Sequence, residues 1–167
     1  MKQLTKIFVL LLAFSANTLF AQTEFADFEK NAQVEVISVN KKMFQMMANV
    51  KSDPADQETQ AYNQLIKKLD LLKSYDTNDA TVAGQLQSAA QNYVTNNNLT
   101  ELMKVSESGV NATYYVNQSA TRTNINELLM VSKQSGKNTI MLIKGNFSLD
   151  ELSALTKKMN ISAIPTK

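Results

Sequence analysis

The sequence predicts an α+β domain with a mainly antiparallel sheet, made of a C-terminal four-strand meander plus N-terminal strands, with helices packed chiefly on one face. Apolar residues recur at helical spacing in the first part of the chain, whereas residues 103–146 show period-two alternation and continuous apolar runs. Short connections join the predicted strands of this second part, which is typical of antiparallel neighbours. A length of 167 residues with 44% hydrophobic side chains suits one globular domain.

Residues 1–21 have the pattern of a secretory signal peptide. Lys2 and Lys6 precede an apolar run at residues 7–14, and Ala21 supplies the small residue of a cleavage site. A membrane-spanning helix needs about 20 consecutive apolar residues, so the run is too short to be an anchor. The chain contains no cysteine that could carry a lipid. We therefore expect a periplasmic or secreted protein that is not a lipoprotein and has no transmembrane anchor after cleavage.

The first elements follow a lead-in at residues 22–33, in which Phe25 and Phe28 are expected to pack against the body. Residues 34–39 predict a strand, and a helix follows from Asn40. Its predicted buried face is a methionine-rich stripe: Met43, Met46, Met47 and Val50. A second helix begins at Asp53 and Pro54, which suit the N-cap and the first helical position. Its buried stripe is Tyr62, Leu65, Ile66 and Leu69, and a short strand at residues 71–75 comes next.

The middle of the chain predicts a third helix and then an alternating strand. The helix starts near Asn78 or Asp79, and a triplet of asparagines at residues 96–98 ends it. Its predicted inner face comprises Val82, Leu86, Ala89, Ala90 and Tyr93. In the strand that follows Gly109, one face is predicted to hold Val110, Ala112, Tyr114 and Val116.

Two late strands, at about residues 125–132 and 139–146, contain apolar runs without polar alternation. Such runs indicate that both faces of the strands are covered. Two interpretations stay open. Helices or the N-terminal segment cover the second face, or this face meets another chain or an apolar ligand. In the second case the partner or oligomer surface comprises Leu128, Met130, Ile140 and Leu142.

The start of a last helix has the clearest local signature. Ser148 and Glu151 have the spacing of a capping box, and Phe147 and Leu152 have that of a hydrophobic staple. Leu155 and Met159 continue the predicted buried face. This helix closes the globular domain at residues 34–160, and residues 161–167 form a tail.

The composition excludes several classes of function. The chain has no histidine and no cysteine, so it lacks the residues of the usual nucleophile–histidine catalytic sites, of ordinary zinc sites and of disulfides. Loss of Lys2 and Lys6 with the signal peptide reduces 17 basic residues to 15, equal to the 15 acidic ones. A neutral chain with a single arginine gives no support for nucleic-acid binding.

The remaining polar motifs predict no catalytic, cofactor or metal site. The acidic segment at residues 76–79 resembles the opening of a calcium loop, but the later ligand positions lack suitable residues, and an N-cap explains the acids. Asp150 and Glu151 are adjacent in a first helical turn, where they favour capping over paired catalysis. Arg122 is either an anion contact or an exposed loop residue.

The order of elements resembles a known family. The matching segments are Phe28 with the valine-rich strand that follows it, the helix that starts at residues 41–44, residues 99–103, the strand at 126–129, and the segment at 143–152. Together they resemble the secreted Bacteroidetes family called domain of unknown function 4252, over about residues 25–160. The resemblance implies an exported protein of a Gram-negative bacterium with an envelope-associated role, and it carries over no activity and no site residues.

We therefore expect an exported, non-enzymatic interaction or binding module of the envelope. Its partner would be an envelope protein or a second copy of the chain, and no cofactor is expected. Two alternatives stay open. One is a carboxylate-dependent hydrolase of envelope polymers, which would need two acids with unequal surroundings in one pocket. The other is a carrier of a small apolar ligand, which would need a cavity between the sheet and the helices.

Overall fold

A computed structural model describes residues 24–49, 57–107 and 109–152 of the chain. Several sequence predictions fall outside these residues. They are the signal peptide at 1–21, Val50, the helix start at Asp53 and Pro54, Leu155, Met159 and the tail at 161–167.

Six strands, one 3-10 helix and three α-helices precede a last helical segment in the described part of the chain. The strands are β1 (Glu35–Asn40), β2 (Leu69–Thr77), β3 (Leu99–Glu107), β4 (Val110–Asn117), β5 (Ile125–Gln134) and β6 (Lys137–Phe147). The helices are a 3-10 helix (Ala26–Lys30), α1 (Lys41–Ala48), α2 (Gln57–Ile66) and α3 (Ala80–Asn96). Residues 149–152 are also helical.

The strands form one sheet in the order β1-β2-β6-β5-β4-β3, and every neighbouring pair is antiparallel. β3 to β6 form the predicted four-strand meander, and β1 and β2 extend it beside β6. The predicted α+β class with an antiparallel sheet is therefore confirmed. β1 and β3 are the edge strands, whereas β5 and β6 lie inside the sheet.

Helices cover both faces of the sheet. On the first face, α1 and α2 pack with alternate residues of β5 and β6, among them Leu128 and Ile143. On the second face, the 3-10 helix and α3 pack with the other alternate residues of β5 and β6, among them Leu129 and Leu142. The prediction that helices lie chiefly on one face is wrong, because apolar side chains project from both faces of the central strands and each face needs its own cover.

Two helix starts follow the capping rules that the sequence suggested. Asp79 is the N-cap of α3, and its Oδ1 accepts a hydrogen bond from the backbone N–H of Val82 at 2.8 Å. Ser148 Oγ accepts from the Glu151 N–H at 3.2 Å, and Glu151 Oε2 accepts from the Ser148 N–H at 2.9 Å. This confirms the capping box, and both staple residues, Phe147 and Leu152, are buried in the first core.

Two local predictions are wrong. Leu69, assigned to the buried stripe of the second helix, begins β2, which runs through Thr77 and is longer than the predicted strand at 71–75. α1 buries Phe44 and Ala48 rather than the methionine stripe. Met47 is partly buried against the first core, but Met43 and Met46 are exposed.

Candidate functional site

The four residues predicted as a partner or oligomer surface are buried inside the chain. Leu128 and Met130 belong to the core of the first face, and Ile140 and Leu142 belong to that of the second face. None of the four exposes more than 3% of its surface, so they offer nothing to a partner. The prediction of a surface at these residues is corrected, because the 3-10 helix, α3 and the α1–α2 pair provide the cover.

Arg122 lies in the exposed loop between β4 and β5. Its Nη2 donates to Asp150 Oδ1 at 3.0 Å, and both side chains are more than 70% exposed. Its carbonyl also accepts a hydrogen bond from the N–H of Leu149 at 3.0 Å. The guanidinium thus pairs with a carboxylate of this chain, and an ion pair so exposed contributes little to stability.

The exposed apolar side chains concentrate where β1 passes into α1. Ile37 is 50% exposed, Met43 49% and Met46 61%. We call these three residues the apolar corner. In the described part of the chain, the one other large apolar residue with comparable exposure is Leu102, at 38%, on the opposite edge strand. Because three exposed apolar residues fall within ten positions of the sequence, the corner is the candidate contact surface.

The sequence places α1 here by a direct strand-to-helix transition. Asn40 ends β1 and is also the N-cap of α1, and its Oδ1 accepts a hydrogen bond from the N–H of Met43 at 3.0 Å. Phe44 and Ala48 lie one turn apart and anchor the helix in the core. With that face buried, Met43 and Met46 remain outside. The signal that the sequence analysis missed is this second apolar pair, which competes with the methionine stripe for the core.

A polar pocket of about 390 Å³ lies at the other end of β1, where β2 ends and α3 begins. Its lining includes three carboxylates and one lysine: Glu35, Asp76, Asp79 and Lys137. Asp79 caps the first turn of α3. Asp76 Oδ1 accepts a hydrogen bond from the Thr139 hydroxyl and lies 3.6 Å from Lys137 Nζ. Both aspartates therefore have a structural task within the chain.

The described residues contain no group of three acidic, cysteine or histidine side chains arranged to hold a metal ion. The acidic segment at 76–79 instead forms a strand end and a helix cap, as the sequence analysis expected. The Thr77 hydroxyl completes this turn, since it donates to the Gln33 carbonyl at 2.7 Å and accepts from the Asp79 N–H at 3.2 Å.

A second polar cluster joins α3 to the sheet. The Tyr93 hydroxyl donates to Glu127 Oε1, which lies 3.3 Å from Lys144 Nζ. The same ammonium lies 5.6 Å from the centroid of the Tyr93 ring. Burial, together with the Glu127 carboxylate, raises the pKa of Tyr93 far above its usual range. Tyr93 thus stays protonated and acts as a hydrogen-bond donor that fixes α3.

In the part of the chain that the structure describes, no helix is both long enough and apolar enough to span a bilayer.

Comparison with known proteins identifies the family. No curated protein and no solved structure matches the chain. The family model described as Domain of unknown function (DUF4252) matches residues 28–155, which is most of the chain and all of the sheet. The chain therefore belongs to the DUF4252 family.

Proposed function

We propose that the protein is an exported, non-enzymatic interaction module of the cell envelope, which contacts an envelope protein through Met43 and Met46 on α1. The observation that carries the proposal is the exposure of these two side chains, 49% and 61%, on a helix whose opposite face is firmly buried. Methionine side chains are flexible and polarizable, and they are frequent on surfaces that adapt to a partner.

The surroundings of α1 favour such a role. Its first turn is capped by Asn40, and Phe44 is 2% exposed in the core. A helix anchored in this way has little backbone freedom left to lose when its outer side chains bind a partner.

Export is supported by the leader pattern and by the packing of the residues that follow it. The Phe25 ring stacks on Tyr75, with centroids 5.1 Å apart, and lies 5.4 Å from Tyr93. Glu24 Oε1 accepts a hydrogen bond from Asn96 Nδ2 at 2.9 Å. The chain just after the proposed cleavage site thus forms part of the domain, which suits a mature protein that begins near Gln22.

The geometry favours an interaction role over the two alternatives. The polar pocket contains the acids that a hydrolase needs, but Asp79 is committed to capping α3 and Asp76 to Thr139 and Lys137. For an apolar carrier, the space between sheet and helices would have to be open. In the described residues, the apolar side chains on both sides of the sheet form packed core clusters.

The proposal is tested by site-specific photo-cross-linking in the bacterium that produces the protein. A photoreactive amino acid replaces Met46 on α1 or, as a matched control, Gln91 on α3. Both positions are exposed on helices, but on opposite faces of the sheet. We expect a specific adduct with an envelope protein from position 46 and none from position 91. The mature protein, recovered from the periplasm or the medium, is expected to start at Gln22 by mass spectrometry.

A second variant separates contact from folding. Met43→Lys in the chain that carries the photoreactive residue at position 46 should abolish the adduct and leave the melting temperature unchanged, because residue 43 is half exposed. Adducts of equal yield from positions 46 and 91, or a protein retained in the cytoplasm, would contradict the proposal.

A further inference from the structure

The two edges of the sheet differ in how they are protected against pairing. An edge strand presents unpaired backbone N–H and C=O groups, and charged side chains and bulges on the strand discourage another strand from adding to it. β3 has both devices: it carries Glu101, Lys104 and Glu107, and its register with β4 shifts between Glu101 and Met103.

β1 lacks this protection. It pairs with β2 in continuous register from Glu35 to Asn40, and Glu35 is its one charged residue. No described strand pairs with its outer side. Ile37, in the middle of the strand, is 50% exposed. β1 is therefore the edge that is suited to accept a strand.

The charges at the ends of β1 are complementary to those of a second copy of the same strand. Glu35 stands at the beginning, and Lys41 and Lys42 follow immediately after the end. In an antiparallel pair of two β1 strands, each acidic end lies beside the basic end of the other copy. The exposed ion pair of Lys41 with Asp70 does not prevent this, since such pairs are weak and exchange partners readily.

The faces of the sheet restrict the register. Val39 packs against the core under α1, whereas Val36 packs against the core of the other face, so odd-numbered residues of β1 lie on the α1 side. Opposite residues in an antiparallel pair share a face. Pairing Ile37 with Ile37 meets this condition and joins two exposed apolar side chains. It also places Glu35 opposite Val39 of the second copy and diagonal to Lys41 of that copy, within reach of a long side chain.

We infer that the protein forms a twofold-symmetric dimer in which the β1 strands of two copies pair antiparallel, centred on Ile37, into one continuous sheet. The dimer goes beyond the proposed contact with an envelope protein. Because the twofold axis is perpendicular to the sheet, both α1 helices lie on the same face. Met43 and Met46 are therefore presented twice, and a partner with two sites would bind with avidity.

The chain has no cysteine, so single cysteine variants report the register directly. In the proposed dimer, Ile37→Cys places two thiols on directly opposite residues, where Cα atoms are about 4.5–5.5 Å apart, within the range that a disulfide bridges. Ser38→Cys is the matched control, because this exposed residue lies opposite Val36 of the second copy. Leu102→Cys controls for association through β3.

Under mild oxidation we expect a disulfide-linked dimer from Ile37→Cys and little from the two controls. Equal cross-linking at position 38 or 102, or none at position 37, would overturn the proposed pairing.

Charge reversal tests the same dimer without cysteines. Glu35→Lys alone should weaken self-association roughly tenfold in sedimentation equilibrium, since each substitution occurs twice per dimer and replaces attraction with repulsion. The double variant Lys41→Glu, Lys42→Glu should show the same weakening of self-association. A mixture of the two variants should form a heterodimer, because their charges are again complementary.

A wild-type protein that stays monomeric at all concentrations, or a mixture that associates no better than either variant, would overturn the inference. These results do not decide whether the proposed contact with an envelope protein exists. A monomer that still gives a specific adduct from position 46 retains the envelope contact and loses only the dimer.

Discussion

Two buried tyrosines, one in each core, differ in the hydrogen bonding of their hydroxyls. Tyr93 is 0% exposed and donates to Glu127, whereas Tyr114 is 1% exposed and its hydroxyl has no hydrogen-bond partner in the described residues. Burial raises the pKa of Tyr114 to about 12. A buried hydroxyl without a partner costs about 1–3 kcal/mol, because its hydrogen bonds to water are not replaced.

We therefore predict opposite effects of the same substitution. Tyr114→Phe should leave the free energy of unfolding unchanged or raise it by about 1 kcal/mol, since it removes an unsatisfied group. Tyr93→Phe should lower it by about 2 kcal/mol, since it removes a hydrogen bond to a carboxylate. Urea unfolding of the mature chain measures both. A loss at Tyr114 as large as that at Tyr93 would contradict the assignment.

The candidate site illustrates how residue-scale prediction fails. The methionine stripe of α1 is apolar and has helical spacing, and this pattern predicts burial. The burial of Phe44 and Ala48 turns Met43 and Met46 outward. One short helix thus carries two overlapping apolar faces, and local spacing does not decide which of the two is buried.

At the scale of elements, the contact of β6 with the start of β2 depends on a glycine. Gly145 pairs with Leu69 beside a register shift, and a Cβ at position 145 would lie 2.4 Å from the Lys68 carbonyl oxygen and 2.9 Å from the Leu69 Cα. The next residue, Asn146, donates its N–H to the same carbonyl at 3.0 Å. The backbones approach so closely that no side chain fits.

Gly145→Ala should therefore destabilise the domain by about 2–3 kcal/mol, in the range of overpacked cores. Gly84→Ala is the matched control. Gly84 lies in α3 with no atom within 4 Å of the added methyl group, and alanine is a better helix former than glycine. Gly84→Ala should raise stability by up to about 1 kcal/mol. Thermal and urea unfolding of the two variants should shift in opposite directions, and a shift in the same direction would refute this account.

Element starts were easier to predict than element faces. The N-cap of α3 at Asp79 and the capping box of Ser148 and Glu151 depend on residues within one turn, and both are confirmed. The covering of both faces of β5 and β6 also followed from their apolar runs. The division of the helices between the two faces depends on contacts far apart in sequence, and the prediction that they lie chiefly on one face is wrong.

At the scale of the molecule, the tyrosines of the two cores make the stability of the folded chain depend on pH in the alkaline range. All five tyrosines have a raised pKa, and burial is the largest cause for each: Tyr62, Tyr75, Tyr93, Tyr114 and Tyr115. In the unfolded chain a tyrosine ionises near pH 10. Folding thus holds the tyrosines in the neutral form where the unfolded chain would release protons.

The direction of the pH dependence follows from these shifts. A group whose pKa is higher in the folded state contributes stability that is complete below the unfolded pKa and is lost as the pH rises above it. We predict constant stability up to about pH 9.5 and a progressive loss above pH 10. Tyrosinate absorbance should rise mainly together with the loss of circular dichroism. Full tyrosinate absorbance at pH 10 with unchanged circular dichroism would contradict it.

Local pattern was sufficient for the strands of the meander, the N-cap of α3 and the capping box of Ser148 and Glu151, because each depends on residues close together in the chain. The α+β class and the family followed from the order of such patterns along the whole chain. The strand order, the distribution of helices over two faces, the open edge of β1 and the exposure of the apolar corner became evident only in the folded chain. They result from competition among apolar surfaces for the same core, and its outcome depends on contacts between distant segments.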